Sequence, residues 1–168
     1  MALTTKQRMF ETLIDVREPV RDSLIALLNE RLADLVDLSN QTKYAHWNVK
    51  GPDFSQLHVL FDEVAGRAQA ATDLVAERVT TLGGVAMGTT RQSAAASSIG
   101  EYDLAASSGI EHLRSLSTQV AKLAASIRKA ISESDKLGDP TTADLFTEVS
   151  RALDKELWML ESHLQTNQ

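Results

Sequence analysis

Two histidines and a set of carboxylates stand at spacings that metal chemistry can use. His46 and His58 bracket the segment "WNVKGPDFSQL", Asp62 follows His58 by four residues, and Asp73 and Glu77 repeat that interval further along. On a helix turning about 100° per residue, His58 and Asp62 differ by about 40°, Asp62 and Asp73 by about 20°, and Asp73 and Glu77 by about 40°. All four therefore share one stripe. Imidazole nitrogen and carboxylate oxygen are hard to borderline donors that suit divalent first-row metals. Along the axis, however, Asp62 and Asp73 lie about 16 Å apart, too far for ligands of one ion.

An antiparallel copy of the same helix removes that difficulty. It would set His58 and Asp62 of one chain opposite Asp73 and Glu77 of its mate, with a twofold axis near residues 67 and 68 and two equivalent sites per dimer. Ala65, Gly66, Ala68, Ala70 and Ala71 surround that point and are small enough for close approach. Glycine costs about 1 kcal/mol inside a helix, which is compatible with a packing demand at Gly66. The competing reading is a solvated helix face, the ordinary fate of a helix carrying four ionisable residues. The paired spacing, and His46 reaching the stripe across the short "KGPD" turn, set the metal reading beside it.

The elements that must position these residues are legible as helices. Pro19 suits a first helical turn, and Leu24, Leu27, Leu28, Leu32, Leu35 and Leu38 recur at helical spacing until "KGP" stops the run after Val49. This predicts a first helix of roughly 30 residues, about 45 Å long. Asp53 and Gln56 resemble a capping box ahead of a second helix that carries Leu57, Leu60, Phe61, Val64, Leu74 and Val75 to Gly83 and Gly84. Residues 85–108, rich in Ser, Ala, Thr and Gly, read as a crossover with one short helix over "TRQSAAASS". Ser108 and Glu111 cap a third long helix with Ile110, Leu113, Leu116, Val120, Leu123 and Ile127. Asp139 and Pro140 start a fourth, carried by Leu145, Val149, Leu153, Leu157, Leu160 and Leu164. Residues 1–15 read as a tail or, over about 5–15, a short helix. The fold class is all-α, a four-helix bundle with a long middle crossover containing a short helix, the connectivity of ferritin-like folds.

Length and composition bound the function. A chain of 168 residues, 43% hydrophobic and 24% charged, fits one folded domain over 1–168. The absence of cysteine excludes disulfides and thiolate metal sites. "MALTTKQRMFETL" lacks the apolar core of a secretory signal, and no stretch of about 18 apolar residues could span a bilayer, so the expectation is a cytoplasmic protein with no membrane partner. A formal net charge of −6 opposes general adhesion to DNA.

"AHWNVKGPDFSQLHVLFDEV", followed by Asp73, Glu77 and "LGGVAMGTT", resembles the Dps family, the miniferritins called DNA-binding proteins from starved cells. The resemblance extends to "DLFTEVSRALDKELWMLESHL" near the C-terminus. It implies a dodecameric shell, ferrous iron oxidised preferentially by hydrogen peroxide over dioxygen, ferric mineral kept inside, and protection against oxidative damage. His46, His58 and Asp62 would come from one subunit and Asp73 and Glu77 from its twofold mate, holding two iron ions at the interface. Asp73 would ligate directly or orient a histidine. Zinc, manganese or cobalt would be accepted by the same donors.

Trp47 reads first as a packing residue, and by resemblance also as a protective electron donor beside the site. Trp158, Tyr44, Phe61 and Met87 read as core, and His112 and His163 as surface or capping residues. DNA binding is expected to be weak, and with it any nucleoid association: Lys6 and Arg8 alone make the tail basic, while a twelve-chain shell would carry about −72. For iron entry, the third helix offers Ser115, Ser117, Thr118 and Ser126, with Glu133, Asp135, Asp139, Asp144 and Glu148 as acidic residues nearby. Two other functions compete. A dimanganese catalase would place more ligand pairs within one subunit, and the chain has no Glu-x-x-His pair. A DNA-compacting structural protein would leave the ligands silent.

Overall fold

The computed structural model describes residues 8–165. Five helices follow in order: α1 (Glu18–Asn48), α2 (Phe54–Thr81), α3 (Thr90–Ala96), α4 (Gly109–Lys136) and α5 (Pro140–Ser162). α1 packs on α2 and α4 on α5, the contacts of α1 with α4 and α2 with α5 close the bundle, and α3 lies against α1. This is a four-helix bundle whose middle crossover, residues 82–108, carries the short helix. Among the described residues no helix is long and apolar enough to cross a membrane.

The core follows the 3.6-residue periodicity of the long helices. Leu24, Leu28, Leu35 and Leu38 of α1 meet Phe61 and Val75 of α2, Leu116, Leu123 and Ile127 of α4, and Phe146 and Leu160 of α5, all fully buried. At α4 the Ser108 hydroxyl accepts from Glu111 N–H while the Glu111 carboxylate accepts from Ser108 N–H, a complete capping box. Thr89 and Gln92 do the same for α3. The expected box at Asp53 and Gln56 does not form: Asp53 makes no side-chain cap. The turn closes through the backbone instead, Phe54 N–H donating to the Gly51 carbonyl at 3.1 Å, with Gly51 at φ +116°.

The expected helix over residues 5–15 is absent from 8–15, and 5–7 lie outside the described residues. Phe10 N–H donates to the Gly83 carbonyl at 2.7 Å, and Arg21 Nη1 donates to the Leu82 carbonyl at 3.0 Å. The segment is thus tied to the C-terminal end of α2, and that long-range bond takes the place of a local helical one.

Several expected core residues are exposed: Trp47 (69%), Trp158 (64%), Leu74, Met87 and Ile110. Phe61 is fully buried as expected, and Tyr44 packs half-buried against the core. His112 corrects the expectation in the opposite direction, being fully buried, while His163 is exposed at the end of α5. Of the small residues near the middle of α2, Ala65, Ala68 and Ala71 face the chain's own core and only Gly66 and Ala70 face outward. Ser117 is also buried rather than outward-facing. Asp139 is buried too, and accepts hydrogen bonds from Arg78 Nη2 at 2.7 Å and from the Thr142 hydroxyl, which spends it on joining α2 to α5. It is therefore unavailable to an entry pore.

Candidate metal centre

His46 stands in the last turn of α1 and His58 in the second turn of α2, joined by the turn at 49–53. That hairpin stacks the two imidazoles with centroids 3.7 Å apart and planes 23° from parallel. Each ring is held by the other residue's backbone. His46 Nδ1 lies 2.7 Å from the His58 carbonyl, and His58 Nδ1 lies 2.8 Å from the His46 carbonyl. A carbonyl only accepts, so both Nδ1 atoms carry the hydrogen and both Nε2 atoms keep a lone pair. A backbone carbonyl that accepts from one ring nitrogen orients a metal-binding histidine and fixes its tautomer. Phe54 lies against His58 with ring centroids 5.1 Å apart.

Asp62 is the next residue on the α2 stripe and is exposed. Its carboxylate accepts from Lys43 Nζ at 2.6 Å. The hydrogen bond from Lys43 holds this carboxyl below the usual carboxylate range, outweighing the opposing effect of desolvation, and the positive charge of Lys43 adds to it. Lys43 was not legible as part of the site. It lies one turn before His46 on α1, and only the packing of α1 on α2 brings it to Asp62. Its Nζ also sits 5.8 Å from the centroid of the exposed Trp47 ring.

Further along α2 the outward stripe continues through Gly66, Gln69, Asp73 and Glu77, all exposed. Neither Asp73 nor Glu77 has an ion-pair partner among the described residues. Beside Asp62 a groove of about 500 Å³ runs between Ser39, Asn40 and Lys43 of α1 and Gly66 and Gln69 of α2. A Cβ on Gly66 would meet nothing within 4 Å, so nothing in its own chain calls for glycine there. Among the described residues no group of three or more His, Asp or Glu side chains closes around a single point. One chain thus offers two nitrogen donors and Asp62 at one end of the stripe, and two unpaired carboxylates at the other.

The fold and this outward carboxylate and histidine stripe define a ferritin-like bundle. A ferritin-like domain model matches residues 25–168. The DNA protection during starvation protein of Agrobacterium fabrum is 42% identical over 151 residues, covering 90% of this chain and 93% of that one. Among solved structures, DpsC from Streptomyces coelicolor superposes with a TM-score of 0.90 at 30% identity, covering 95% of this chain and 94% of that one. The Dps protein of Vibrio cholerae, described as a member of a broad superfamily of ferritin-like diiron-carboxylate proteins, superposes with a TM-score of 0.86 at 27% identity, covering 94% and 99%. The chain belongs to the Dps family of ferritin-like miniferritins.

Proposed function

We propose that this chain is an iron-storing ferroxidase subunit whose site is completed by a second copy. The observation that carries the reading is the reciprocal His46 and His58 pair, which presents two Nε2 lone pairs beside Asp62 while Asp73 and Glu77 stand unpaired further along the same helix face. Ferrous iron is the substrate. His46, His58 and Asp62 bind it from one subunit, Asp73 and Glu77 from the twofold mate, and the carboxylates favour the ferric product as the harder ion. Lys43 holds the place of a cation on Asp62 until iron displaces it.

Two ferrous ions held together supply the two electrons that hydrogen peroxide needs: two Fe(II), one peroxide and two protons give two Fe(III) and two waters. The pairing avoids the one-electron reduction that releases hydroxyl radical. Twelve chains enclosing the ferric mineral complete the reading, which places the protein in the cytoplasm. DNA contact is weak, because the chain carries −6 and Arg8 is engaged over the Phe10 ring at 4.6 Å. Supporting the reading are membership of the Dps family and the fit of the donor set to iron.

The test is anaerobic ferrous loading followed by stoichiometric peroxide, with ferric absorbance recorded for wild type and for the double variant His58→Ala, Asp62→Ala. Fast oxidation to a soluble ferric core that is lost in the variant is the expected result. Equal rates in the two proteins would exclude this stripe as the oxidation site.

A further inference from the structure

Where the crossover meets α4 lies a buried pair that the iron reading does not use. Tyr102 is 7% exposed and His112, in the first turn of α4, is 0% exposed. The Tyr102 hydroxyl stands 2.7 Å from His112 Nδ1. The Asn48 carbonyl faces the same imidazole, without the geometry of a formed hydrogen bond, so Nε2 has no partner among the described residues. Placing the ring hydrogen on Nε2 leaves the Nδ1 lone pair for the Tyr102 proton. Burial holds this imidazole below its ordinary range and pushes the Tyr102 phenol up, so at rest the pair is a neutral base beside a protonated phenol.

The chain has two tyrosines, and they differ in where a proton can go. The Tyr44 ring meets Tyr102 edge-on with centroids 5.2 Å apart, and its hydroxyl donates to the Leu104 carbonyl at 3.3 Å. An amide carbonyl is not a base at neutral pH, so oxidised Tyr44 has no adjacent site for its proton. Oxidised Tyr102 has one, already hydrogen-bonded. Removing an electron from a phenol makes its O–H strongly acidic, so the tyrosine with a base in contact is the one that holds the oxidising equivalent.

We propose that Tyr102 and His112 form a redox-active pair that takes up one oxidising equivalent by sending an electron out and a proton across to Nδ1. The oxidant is of the class made when a single ferrous ion reduces peroxide, hydroxyl radical. Tyr102 loses one electron, its O–H bond breaks, and the proton bonds to His112 Nδ1. Hydroxyl radical gains the electron and becomes hydroxide. The products, a neutral phenoxyl radical, an imidazolium and a hydroxide, balance the neutral reactants. A later ferrous ion returns the electron, becoming ferric, and the proton goes back to the phenol oxygen. Half-buried Tyr44 touches the Tyr102 ring and stands three residues before the exposed Trp47 on α1, which offers an aromatic route for the electron.

The test needs no iron, so its failure is distinguishable from failure of the ferroxidase reading. Metal-free assembled protein is oxidised with a photogenerated ruthenium(III) polypyridyl complex, and radicals are read by time-resolved electron paramagnetic resonance. A tyrosyl signal is expected in wild type, retained in Tyr44→Phe, lost in Tyr102→Phe and formed more slowly in D2O than in H2O. His112→Gln, which keeps a hydrogen-bond acceptor without a base, should lose the signal as well. If either core variant fails to assemble, Tyr44→Phe still decides, because Tyr102 is then the only tyrosine. No tyrosyl signal in that variant, a signal that survives Tyr102→Phe, or equal rates in the two solvents would overturn the proposal.

Discussion

Arg67 sits at the middle of α2, where the twofold axis of the proposed site would pass, and it also holds the bundle together. Its guanidinium grips the Glu156 carboxylate of α5 through both Nε and Nη2, the latter at 2.9 Å, and reaches Glu63 at 3.4 Å. The Glu156 side chain is 4% exposed, among Leu38, Val64, Val149 and Leu153, whereas Arg67 is 38% exposed. Removing one partner of a buried ion pair costs about 3–5 kcal/mol, and water admitted past the vacated Arg67 position reduces this to about 2–3 kcal/mol. At about 2–4 °C per kcal/mol for a chain of this size, Arg67→Met should melt about 4–12 °C lower. Arg67→Met combined with Glu156→Leu removes both charges from an apolar setting and should recover to within about 1 kcal/mol of wild type. The assay is thermal unfolding of the three proteins at one fixed subunit concentration, since assembly makes melting concentration-dependent. A single variant that melts with wild type, or a double variant as unstable as the single, would refute the claim that an unpaired buried carboxylate is the cost.

Two further changes test the connections that position α2. Gly83 has φ +88° and an added Cβ would lie 2.5 Å from the Phe10 carbonyl oxygen, so Gly83→Ala should cost at least about 1–2 kcal/mol and release residues 8–16. Limited proteolysis should then cut that segment faster, and an unchanged cutting rate would contradict the tie. At Asp139 burial pushes the carboxyl up, but hydrogen bonds from Thr142 and Arg78 outweigh it and hold it below the ordinary carboxylate range. A carboxyl depressed on folding contributes stability that is fully present above about pH 4 and is lost as pH falls through the folded value. Asp139→Asn should therefore be less stable at neutral pH and lose less on acidification, and parallel acid limbs in melting against pH would contradict this.

The helices were legible because apolar period and punctuation agreed. Pro19, the "KGP" turn, the Ser108 and Glu111 box and Pro140 each fall at an observed helix boundary. The common face of His58, Asp62, Asp73 and Glu77 was legible as well, since 100° per residue fixes it without tertiary contacts. What one sequence could not show is which apolar residues serve the chain's own core. Trp47, Leu74 and Trp158 fit the helical pattern yet stand exposed, because periodicity reports apolar character and not what covers it. Long-range pairings were equally hidden. Lys43 with Asp62, Phe10 with Gly83 and Tyr102 with His112 join residues of different segments, and the crossover holding Tyr102 has no period from which its burial could be read.

The central claim is that each oxidation site is shared between two copies of this chain, and mixed assembly tests it most directly. One variant carries His58→Ala with Asp62→Ala, the other Asp73→Ala with Glu77→Ala, and each alone should oxidise ferrous iron with peroxide no faster than protein-free solution. When the two are unfolded together and co-assembled in equal amounts, random twofold pairing makes half the dimers mixed, and each mixed dimer has one of its two sites intact. About a quarter of wild-type ferroxidase activity should then return. Co-assembly that restores none would contradict a shared site, as would either variant retaining full activity alone.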